Sequence, residues 1–285
     1  MMTEDASPTD RTDRTDRTDR TDRTDRATVA ALLDLSHQLG DSRRSLCILG
    51  EGNTSALLEG GRLVVKASGS ILGQLQLGDL TWCHQQPLVQ ALDQETMTDT
   101  QMHDLLKSSQ VSSEAKKPSI ETVFHAWLLT LPGVGFVGHT HCLAANQILC
   151  SPRGKDFATQ RLFPDQVVVC GRSSVWVPYT DTGLPLAKAI REGVQQHMEE
   201  EGLPPKLVLL QNHGIIALGA TSEAVLAITL MAEKAAAIFV GAAALGGPEF
   251  MRPEHMDRIA SRPDEHERQQ RLHLGEPLAS DRKSL

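Results

Sequence analysis

The sequence predicts a single α/β domain in which helices cover a mixed, largely antiparallel sheet. Short runs of aliphatic residues alternate along the chain with longer segments whose apolar residues recur at helical spacing. Glu59-Gly-Gly61 separates two of the short runs and predicts a tight hairpin turn, which requires antiparallel pairing. Roughly 220 residues remain between two charged ends, a length that suits one sizeable domain. These observations together favour a layered α/β fold.

The first half of the domain contains two segments of helical spacing and two short apolar runs. They predict, in chain order, a helix at 27–39, strands at 46–49 and 63–67, and a helix at 119–130. Pro118 and Ser119 are residue types favoured at a helix start, and Pro132-Gly133 ends that second helix.

The second half repeats the alternation of strands and helices. The predicted elements are a strand at 134–141, a helix at 142–150, strands at 166–170 and 174–178, a helix at 186–200, a strand at 207–211 and a helix at 222–240. The last helix is rich in alanine, and Thr221 or Ser222 followed by Glu223 marks its start.

Both ends of the chain are expected to lie outside the domain. Residues 9–26 are six Thr-Asp-Arg triplets without an apolar residue. Such a segment cannot offset the entropy lost on ordering, so residues 1–26 are predicted to form a disordered tail. The domain itself is predicted to span 27–247. Residues 248–285 are interpreted as a charged C-terminal extension that is partly helical, with a short helix at 255–260 and a loose end after Leu272.

Composition excludes several classes of function. The formal net charge of −8 and an aromatic content of 4% argue against a nucleic-acid partner. We find no apolar stretch of about 18 residues and no signal peptide, so we expect no membrane span and a cytoplasmic location. The five cysteines lack CxxC spacing, which predicts buried reduced thiols rather than disulfides or a thiolate zinc site.

Three histidines are candidate metal ligands. His139 and His141 close an apolar run, and residues two apart in an extended chain point to the same face. His213 closes a second apolar run. A single histidine at a strand end is usually a hydrogen-bonded structural residue, but three that converge would leave one coordination position open, as in catalytic divalent-metal sites.

Glu121 is the candidate acid/base, because it lies in the first turn of the helix that precedes the histidine strand. Two interpretations stay open: a carboxylate that the helix dipole stabilises and that has no further function, or a metal ligand that also transfers protons. His125, one turn further on, is interpreted mainly as a packing or hydrogen-bonding residue. The loops 52–55 and 68–70, with Ser119, offer backbone amides and hydroxyls that suit a phosphate or carboxylate.

Five motifs in this order resemble those of the class II aldolase/adducin family, over about residues 45–240. The matching segments are Gly50-Glu-Gly-Asn53-Thr-Ser55, Ala67-Ser68-Gly69, Pro118-Ser119-Ile-Glu121, Gly138-His139-Thr-His141 and Gln211-Asn212-His213-Gly214. The chain looks closest to the rhamnulose-phosphate-aldolase-like branch, without the dehydrogenase domain that is fused to some members.

The resemblance implies a fold, a cofactor and a set of site residues. The fold would be an α/β/α layered domain, usually assembled as a homotetramer with sites between subunits. Zinc or another divalent ion would be held by His139, His141 and His213, with Glu121 as acid/base and fourth ligand in the absence of substrate. The residues implied to face the substrate's phosphate are Asn53, Ser68, Gly69 and Ser119.

The activity that the resemblance implies is a metal-dependent aldolase in carbohydrate metabolism. Such a lyase cleaves or forms a C–C bond in a small sugar phosphate or hydroxy-ketone through a metal-stabilised enediolate. The chain departs from the pattern at Ile120, where several aldolases have serine. Its only tyrosine, Tyr179, does not match the tyrosine that protonates the leaving aldehyde oxygen in sugar-phosphate aldolases.

Other functions on the same scaffold remain as alternatives. Decarboxylases and dehydratases of the family share the metal site. Epimerases use the same retro-aldol step but typically carry aspartate at the position of Glu121. A non-catalytic scaffold, as in adducins, is the competing class, and adducins lack the three metal histidines.

Overall fold

A seven-stranded sheet forms the centre of the molecule. The computed structural model describes residues 8–271, with side chains from residue 23 onward except at residue 266. Within this range the strands are β1 Asn53–Leu58, β2 Arg62–Lys66, β3 Leu80–His84, β4 Phe136–Thr140, β5 Val175–Val177, β6 Leu207–Leu210 and β7 Gly214–Gly219. Their order is β3-β2-β1-β4-β7-β6-β5, and β5–β6 is the one parallel pair. The expected mixed, largely antiparallel sheet is confirmed.

Helices pack on both faces of this sheet. In chain order they are α1 Pro8–Leu39, α2 Gln85–Gln90, α3 Asp99–Ser109, α4 Thr122–Leu128, α5 Leu143–Leu149, α6 Gly154–Thr159, α7 Pro164–Cys170, α8 Leu184–Glu201, α9 Ser222–Ala244, α10 Pro253–Ala260 and α11 Pro263–Arg271. Helices α1, α5, α7 and α9 lie on one face, and α2, α3, α4 and α8 lie on the other.

Two apolar clusters, one on each face, hold the layers together. Along β6, Leu207 and Leu209 belong to the cluster with α1 and α9, while Val208 and Leu210 belong to the cluster with α4 and α8. This alternation follows from the two-residue period of a strand. Each fully buried Leu or Val contributes about 1.5–3 kcal/mol to stability. The sheet is therefore sandwiched between helices, which confirms the layered α/β architecture.

Two predicted strands are wrong. Residues 46–49 form a turn in which Leu49 has φ of 52° and is 77% exposed; β1, a few residues later, is the actual partner of β2. Residues 166–170 belong to helix α7, which begins at Pro164 and is buried along its whole length from Gln166. A short apolar run without alternation cannot distinguish a buried strand from a buried helix, and here the packing against α9 and α10 decides.

Three strands of the sheet are missing from the sequence-based assignment. They are β1, which begins after the wrongly assigned residues 46–49, the edge strand β3, and β7, which pairs with both β4 and β6. The strand β7 is important for the site because it connects the two apolar runs that end in histidine.

The N-terminal segment differs from the expected disordered tail. Helix α1 continues back through the Thr-Asp-Arg repeats to Pro8, since these repeats contain neither proline nor glycine to end it. Asp25 forms an ion pair of 2.7 Å with Arg62 and accepts a bond from the Glu59 amide, so contact with the domain begins before residue 27. Val29 is the first core residue. The remainder of the predicted tail, residues 1–7, lies outside the described residues.

The C-terminal extension contains α10 and α11. Met256 and Ala260 of α10 pack against Val167 of α7. The loose end expected after Leu272 lies outside the described residues, and the proposed domain limits at 27 and 247 stay predictions. Four of the five cysteines are buried and reduced as expected, but Cys150 is exposed.

Helix α9 corrects the expectation that no stretch resembles a membrane span. By length and composition alone, it is the helix in the described part of the chain that could cross a membrane. In the structure it packs against α1, α5, α7, β4 and β7, and 44% of its most apolar window is buried. Its contacts with the sheet and with these helices account for the buried part of its apolar surface.

Candidate metal centre

The three histidines converge at one end of the central strands. His139 is the fourth residue of β4, paired with Asn53 on β1 and Ile216 on β7. His141 follows the end of β4, and His213 lies in the tight connection between β6 and β7. The ring centroids are 4.8–5.0 Å apart. The antiparallel pairing of β4 with β7 is what brings His213 beside the other two.

Gly214 allows the rings to approach this closely. A Cβ atom at this position would lie 2.5 Å from the Thr140 carbonyl oxygen and 2.9 Å from Cδ2 of His141. Real Cβ atoms do not approach backbone at such distances, so a side chain here would push the β4 end and the histidines apart. The glycine after His213 is therefore part of the site's construction.

The spacing of the polar atoms fits the coordination shell of one ion. Nε2 of His139 lies 3.1 Å from Nε2 of His141, and Nε2 of His213 lies 3.3 Å from Oε1 of Glu121. Glu121 Oε2 is 3.7 Å from Nε2 of His139. Ligand atoms about 2.05 Å from a tetrahedral zinc ion would be roughly 3.3 Å from one another. The ligand atoms of the three histidines all lie within 4.8 Å of one another. With the adjacent Glu121 carboxylate they are candidate ligands of a single divalent ion.

The protonation state of the histidines also suits metal binding. Nδ1 of His139 donates to the Ile215 carbonyl oxygen at 2.9 Å, which leaves the lone pair of Nε2 directed at the centre. Burial lowers the pKa of His139, and burial together with the neighbouring imidazoles lowers the pKa of His141 to about 4. Neutral imidazoles are the form that coordinates metals.

Glu121 lies directly before the first residue of α4, at the edge of the cluster. Its side chain is buried, and Asn53 Nδ2 donates to Oε2 at 2.5 Å. Burial by itself would raise the pKa of Glu121, but the neighbouring His139, His213 and Asn53 side chains outweigh burial and lower it below its ordinary value. The carboxylate is therefore ionised at neutral pH, as either a ligand or a general base requires.

A buried hydrogen-bond chain extends from Glu121 to β1. Asn53 Oδ1 accepts from Nε2 of His125, and the Ser55 hydroxyl donates to Nδ1 of the same ring at 2.7 Å. Burial lowers the pKa of His125 to about 3, so the ring is neutral with its proton on Nε2. The hydrogen-bonding role expected of His125 agrees with these contacts. The Asn53 amide, which the family resemblance directs at a phosphate, here binds Glu121 and His125.

A cavity of about 200 Å³ opens beside the histidines. The residues that line it are Gly50, Glu51, Gly52, Asn53, Lys66, Ser68, Gly69, Ser119, Glu121, His141 and His213. The structure thus brings together the two loops and the helix start that the sequence indicates as an anion cradle. Ser119 Oγ accepts a bond of 3.3 Å from the Glu121 amide, which links the cradle to the candidate acid/base.

Two charged residues of the cavity are absent from the sequence-based site. Lys66, the last residue of β2, is 2% exposed. Glu51 lies with Oε1 3.9 Å from Nδ1 of His141. A lysine inside the apolar run Leu63-Val-Val-Lys-Ala67 is the signal that could have identified Lys66, because an amine within a buried strand requires a polar environment.

Tyr179 does not line the cavity. Its side chain is 63% exposed, and its hydroxyl donates to Asp181 at 3.3 Å. Because this is the chain's only tyrosine, no phenol from the same chain reaches the cluster.

Sequence comparison identifies both the domain and its relatives. The model of the Class II Aldolase and Adducin N-terminal domain matches residues 30–240. The chain is 33% identical over 203 residues to the uncharacterized oxidoreductase YuxG of Bacillus subtilis (strain 168), across 68% of this chain and 27% of that protein. It therefore spans only a minor part of this relative's length.

This chain matches a larger share of a second relative and of one solved structure. The chain is 28% identical over 196 residues to the 3-oxo-tetronate 4-phosphate decarboxylase of Haemophilus influenzae (strain ATCC 51907 / DSM 11121 / KW20 / Rd), across 67% of this chain and 79% of the enzyme. The N-terminal class II aldolase domain of a conserved protein from Thermoplasma acidophilum superposes with a TM-score of 0.60 at 27% identity, across 74% of this chain and 92% of that one.

Proposed function

Because the chain belongs to the class II aldolase and adducin family, we propose that it is a divalent-metal-dependent lyase. Its substrate would be a small sugar phosphate or hydroxy-ketone in which it cleaves or forms a C–C bond. The observation that carries this proposal is the spacing of His139, His141, His213 and Glu121, which fits one ion. Adducin-like scaffolds lack these histidines, so their presence together favours an enzyme.

The ligand set favours zinc as the ion. Three imidazoles with one carboxylate are typical of zinc, whereas magnesium and calcium prefer oxygen ligands. The chemistry that such an ion supplies when bound is Lewis-acid stabilisation of the enediolate charge that bond cleavage leaves on the substrate.

Glu121 is proposed to act twice. In the absence of substrate it completes the ligand set. When the substrate occupies the cavity, the ionised carboxylate takes a proton from the reacting carbon in bond formation. In bond cleavage it first takes up a proton from solvent and then gives it to that carbon. Asn53 holds Oε2 in place through its 2.5 Å bond, so we assign Asn53 to positioning the acid/base. Ser68, Gly69 and Ser119 would bind the substrate's anionic group at the cavity wall.

Decarboxylation is the second candidate, and a specific observation favours it. When an aldolase cleaves the C–C bond, a group must take the proton from the hydroxyl whose oxygen becomes the aldehyde, and when it forms the bond that proton must be returned. Tyr179, the chain's only phenol, lies away from the cavity. Loss of carbon dioxide requires no such group, because the carboxylate leaves as neutral carbon dioxide and its bonding electrons stay on the substrate. The carbon then takes a proton from solvent, which the Glu121 carboxylate can accept and pass on. The similarity to the Haemophilus influenzae decarboxylase agrees with this reading.

A substrate screen of the zinc-loaded protein tests both candidates. Ketose phosphates, hydroxy-ketones and 3-oxo acid phosphates are supplied separately, and the release of aldehyde, water or carbon dioxide is measured. Release of aldehyde from a ketose phosphate supports the aldolase, and release of carbon dioxide from a 3-oxo acid phosphate supports the decarboxylase. Absence of all three products would contradict a lyase function.

A matched pair of variants connects any activity to the site. Glu121→Gln keeps the side-chain shape but removes the charge, and we expect it to lower kcat by about 10²–10⁴-fold. Glu114→Gln changes an exposed glutamate before α4 and serves as the control. Equal activity of the two variants would exclude Glu121 as acid/base. A cytoplasmic homotetramer remains part of the proposal, and light scattering of the purified protein tests the assembly.

A further inference from the structure

A second cavity, of about 560 Å³, opens at the end of the sheet opposite to the histidines. Its wall is formed by the residues that precede β4 and β6, the residues that follow β7, the loop between α7 and β5, and the last turn of α8. Val134 lines this cavity, and His139 follows it by five residues, so about 3.3 Å per residue separates the two sites by roughly 16 Å. The cavity is therefore separate from the candidate metal centre.

Lys206, the residue before β6, is a half-buried cation in the wall of this cavity. Its Nζ lies 3.4 Å from the Val168 carbonyl oxygen, which already accepts a shorter bond of 3.0 Å from Gln269. Burial lowers the pKa of Lys206 to about 8. The nearby Cys170 provides no counter-charge at neutral pH, because burial raises the pKa of its thiol to about 11. Among the side chains that the structure describes, Lys206 forms no ion pair.

The other charges around the cavity are compensated. The negative charge of Glu201 stabilises the guanidinium of Arg161, which is buried behind the wall. Arg172 forms an ion pair with Asp257 of α10. Burial lowers the pKa of His197, so its ring is neutral at neutral pH. The described residues of the cavity thus leave one positive charge, that of the lysine, without compensation.

Arg172 also provides a hydrogen-bond donor that has no acceptor. Its Nη2 is bound to Asp257, but its Nε is buried and unpaired within the part of the chain that the structure describes. Arg172 follows the last residue of α7 by two positions, and Val168, which Lys206 contacts, lies in the last turn of the same helix. Unpaired buried donors are unfavourable, and an acceptor in the cavity would remove the cost for both side chains.

The remaining wall favours a ligand with a hydrocarbon part. Leu203, Pro204 and Pro205 line the cavity just before the lysine. The volume lies within the range of about 300–1,000 Å³ that is typical of small-molecule sites. A phosphate or sulfate dianion would exceed the one uncompensated charge and would have nothing to place against these apolar side chains. A carboxylate on a short hydrocarbon chain satisfies the charge, the two donors and the apolar wall.

We propose that this cavity binds a small organic carboxylate. Its carboxylate group would accept hydrogen bonds from the Lys206 ammonium and from Nε–H of Arg172, and its hydrocarbon part would lie against the apolar residues before β6. The proposal does not depend on the proposed function, since the cavity contains none of the residues assigned to the reaction.

Calorimetry with simple probes tests this site without any enzymatic reaction. Acetate, butyrate, hexanoate, inorganic phosphate and butylammonium are titrated separately into the zinc-loaded protein and into the metal-free protein. The comparison of the two metal states identifies any carboxylate that binds to the metal itself. The variants are Lys206→Met, Arg172→Lys and, as the matched control, Lys155→Met, which removes an exposed lysine on α6.

We expect the wild-type protein and Lys155→Met to bind one butyrate per chain with the same affinity in both metal states. Affinity should rise by up to about fourfold for each CH₂ group added between acetate and hexanoate, because each is removed from water. Lys206→Met should weaken butyrate binding at least about tenfold, and Arg172→Lys should weaken it several-fold because lysine lacks the Nε–H donor. Phosphate should bind more weakly than butyrate, and butylammonium should not bind.

Three results of the titrations would overturn the proposal. They are unchanged butyrate affinity in Lys206→Met, butyrate binding to the zinc-loaded protein alone, and an affinity for phosphate equal to or above that for butyrate. A structure of the wild-type protein with butyrate keeps the test independent of how the variants fold. A carboxylate oxygen within about 3 Å of Nζ of Lys206 supports the site, and butyrate bound elsewhere contradicts it.

Discussion

The Asn53 side chain donates a hydrogen bond of 2.5 Å to Oε2 of Glu121, although the two residues are 68 positions apart. Both side chains are buried, and the other end of the Asn53 amide accepts from His125. The carboxylate of the candidate acid/base is thus fixed by a residue of β1, the strand next to β4, and not by a residue of the helix that follows it. Its position depends on the register between β1 and β4, which pairs Asn53 with His139.

Asn53→Ala should show how far activity depends on the position of the Glu121 carboxylate, because the substitution leaves Glu121 itself unchanged. The substitution removes one donor to the carboxylate and leaves Nε2–H of His125 without an acceptor, so we expect a loss of about 1–3 kcal/mol in stability. We also expect kcat to fall by about 10–100-fold with a smaller change in KM, since residues that orient a metal site have effects of this size. Steady-state kinetics and urea unfolding measure the two effects. An unchanged kcat in a folded variant would show that Glu121 does not need Asn53.

Metal content should depend on the three histidines. We expect about one divalent ion per chain in protein purified without chelator, and its loss in His139→Ala and His213→Ala, because each substitution removes one of three nitrogen ligands. His103→Ala changes an exposed histidine on α3 and should retain the ion. Elemental analysis of the four proteins provides the measurement. Metal-free wild-type protein that cannot be loaded with zinc would argue against the centre.

The stability of the metal-free protein should fall at mildly acidic pH. Burial lowers the pKa of His125 to about 3 and that of His141 to about 4, whereas histidines in the unfolded chain titrate near 6.5. Below pH 6.5 the unfolded state therefore binds protons that the folded state does not, and stability is lost as the pH falls toward 4.

We expect a loss on the order of 2 kcal/mol or more between pH 7 and pH 5, measured by urea unfolding of the metal-free protein. His125→Gln should show a shallower dependence because it removes one of the buried histidines whose pKa is lowered in the folded protein. A free energy of unfolding that is independent of pH over this interval would contradict the burial of neutral histidines.

Gly214→Ala should disturb the centre without changing a ligand. The added Cβ would meet backbone at 2.5 Å, so we expect a cost of about 1–3 kcal/mol and weaker zinc binding. Gly241→Ala is the control, because Gly241 lies in α9 with nothing within 4 Å, and alanine there should stabilise the helix by up to about 1 kcal/mol. Thermal unfolding and zinc titration would distinguish the two variants. Wild-type stability and zinc affinity of Gly214→Ala would show that the histidine cluster does not require the close approach of Gly214 to the end of β4.

Removal of the N-terminal repeats should have little effect on the domain. A protein that begins at residue 23 retains the pair between Asp25 and Arg62, and its melting temperature should be unchanged. Asp25→Ala in the full chain should cost at most about 1 kcal/mol, since the pair is partly exposed. Calorimetry of both proteins tests this point, and a large decrease for the truncated protein would indicate that the repeats stabilise the fold.

The family motifs and the periodicity of the apolar residues were sufficient to predict the layered α/β fold and the grouping of His139, His141 and His213 as candidate metal ligands. Periodicity failed where a short apolar run was buried on all sides, as at residues 166–170, because burial removes the alternation that distinguishes strand from helix. It also failed at residues 46–49, where the chain turns at Leu49, just before residues 50–53, which line the cavity.

The sequence by itself determined that His139 and His141 share one face, because this follows from the two-residue period of a strand. Only the tertiary structure decided the rest of the site. The insertion of β7 between β4 and β6 places His213 beside them, the pairing of β1 with β4 turns the Asn53 amide toward Glu121, and the end of β2 places Lys66 in the same cavity. The physical reason is the separation along the chain of the residues involved. The direction of side chains along one strand is a local property of the backbone, whereas the convergence of residues from different strands depends on register and strand order.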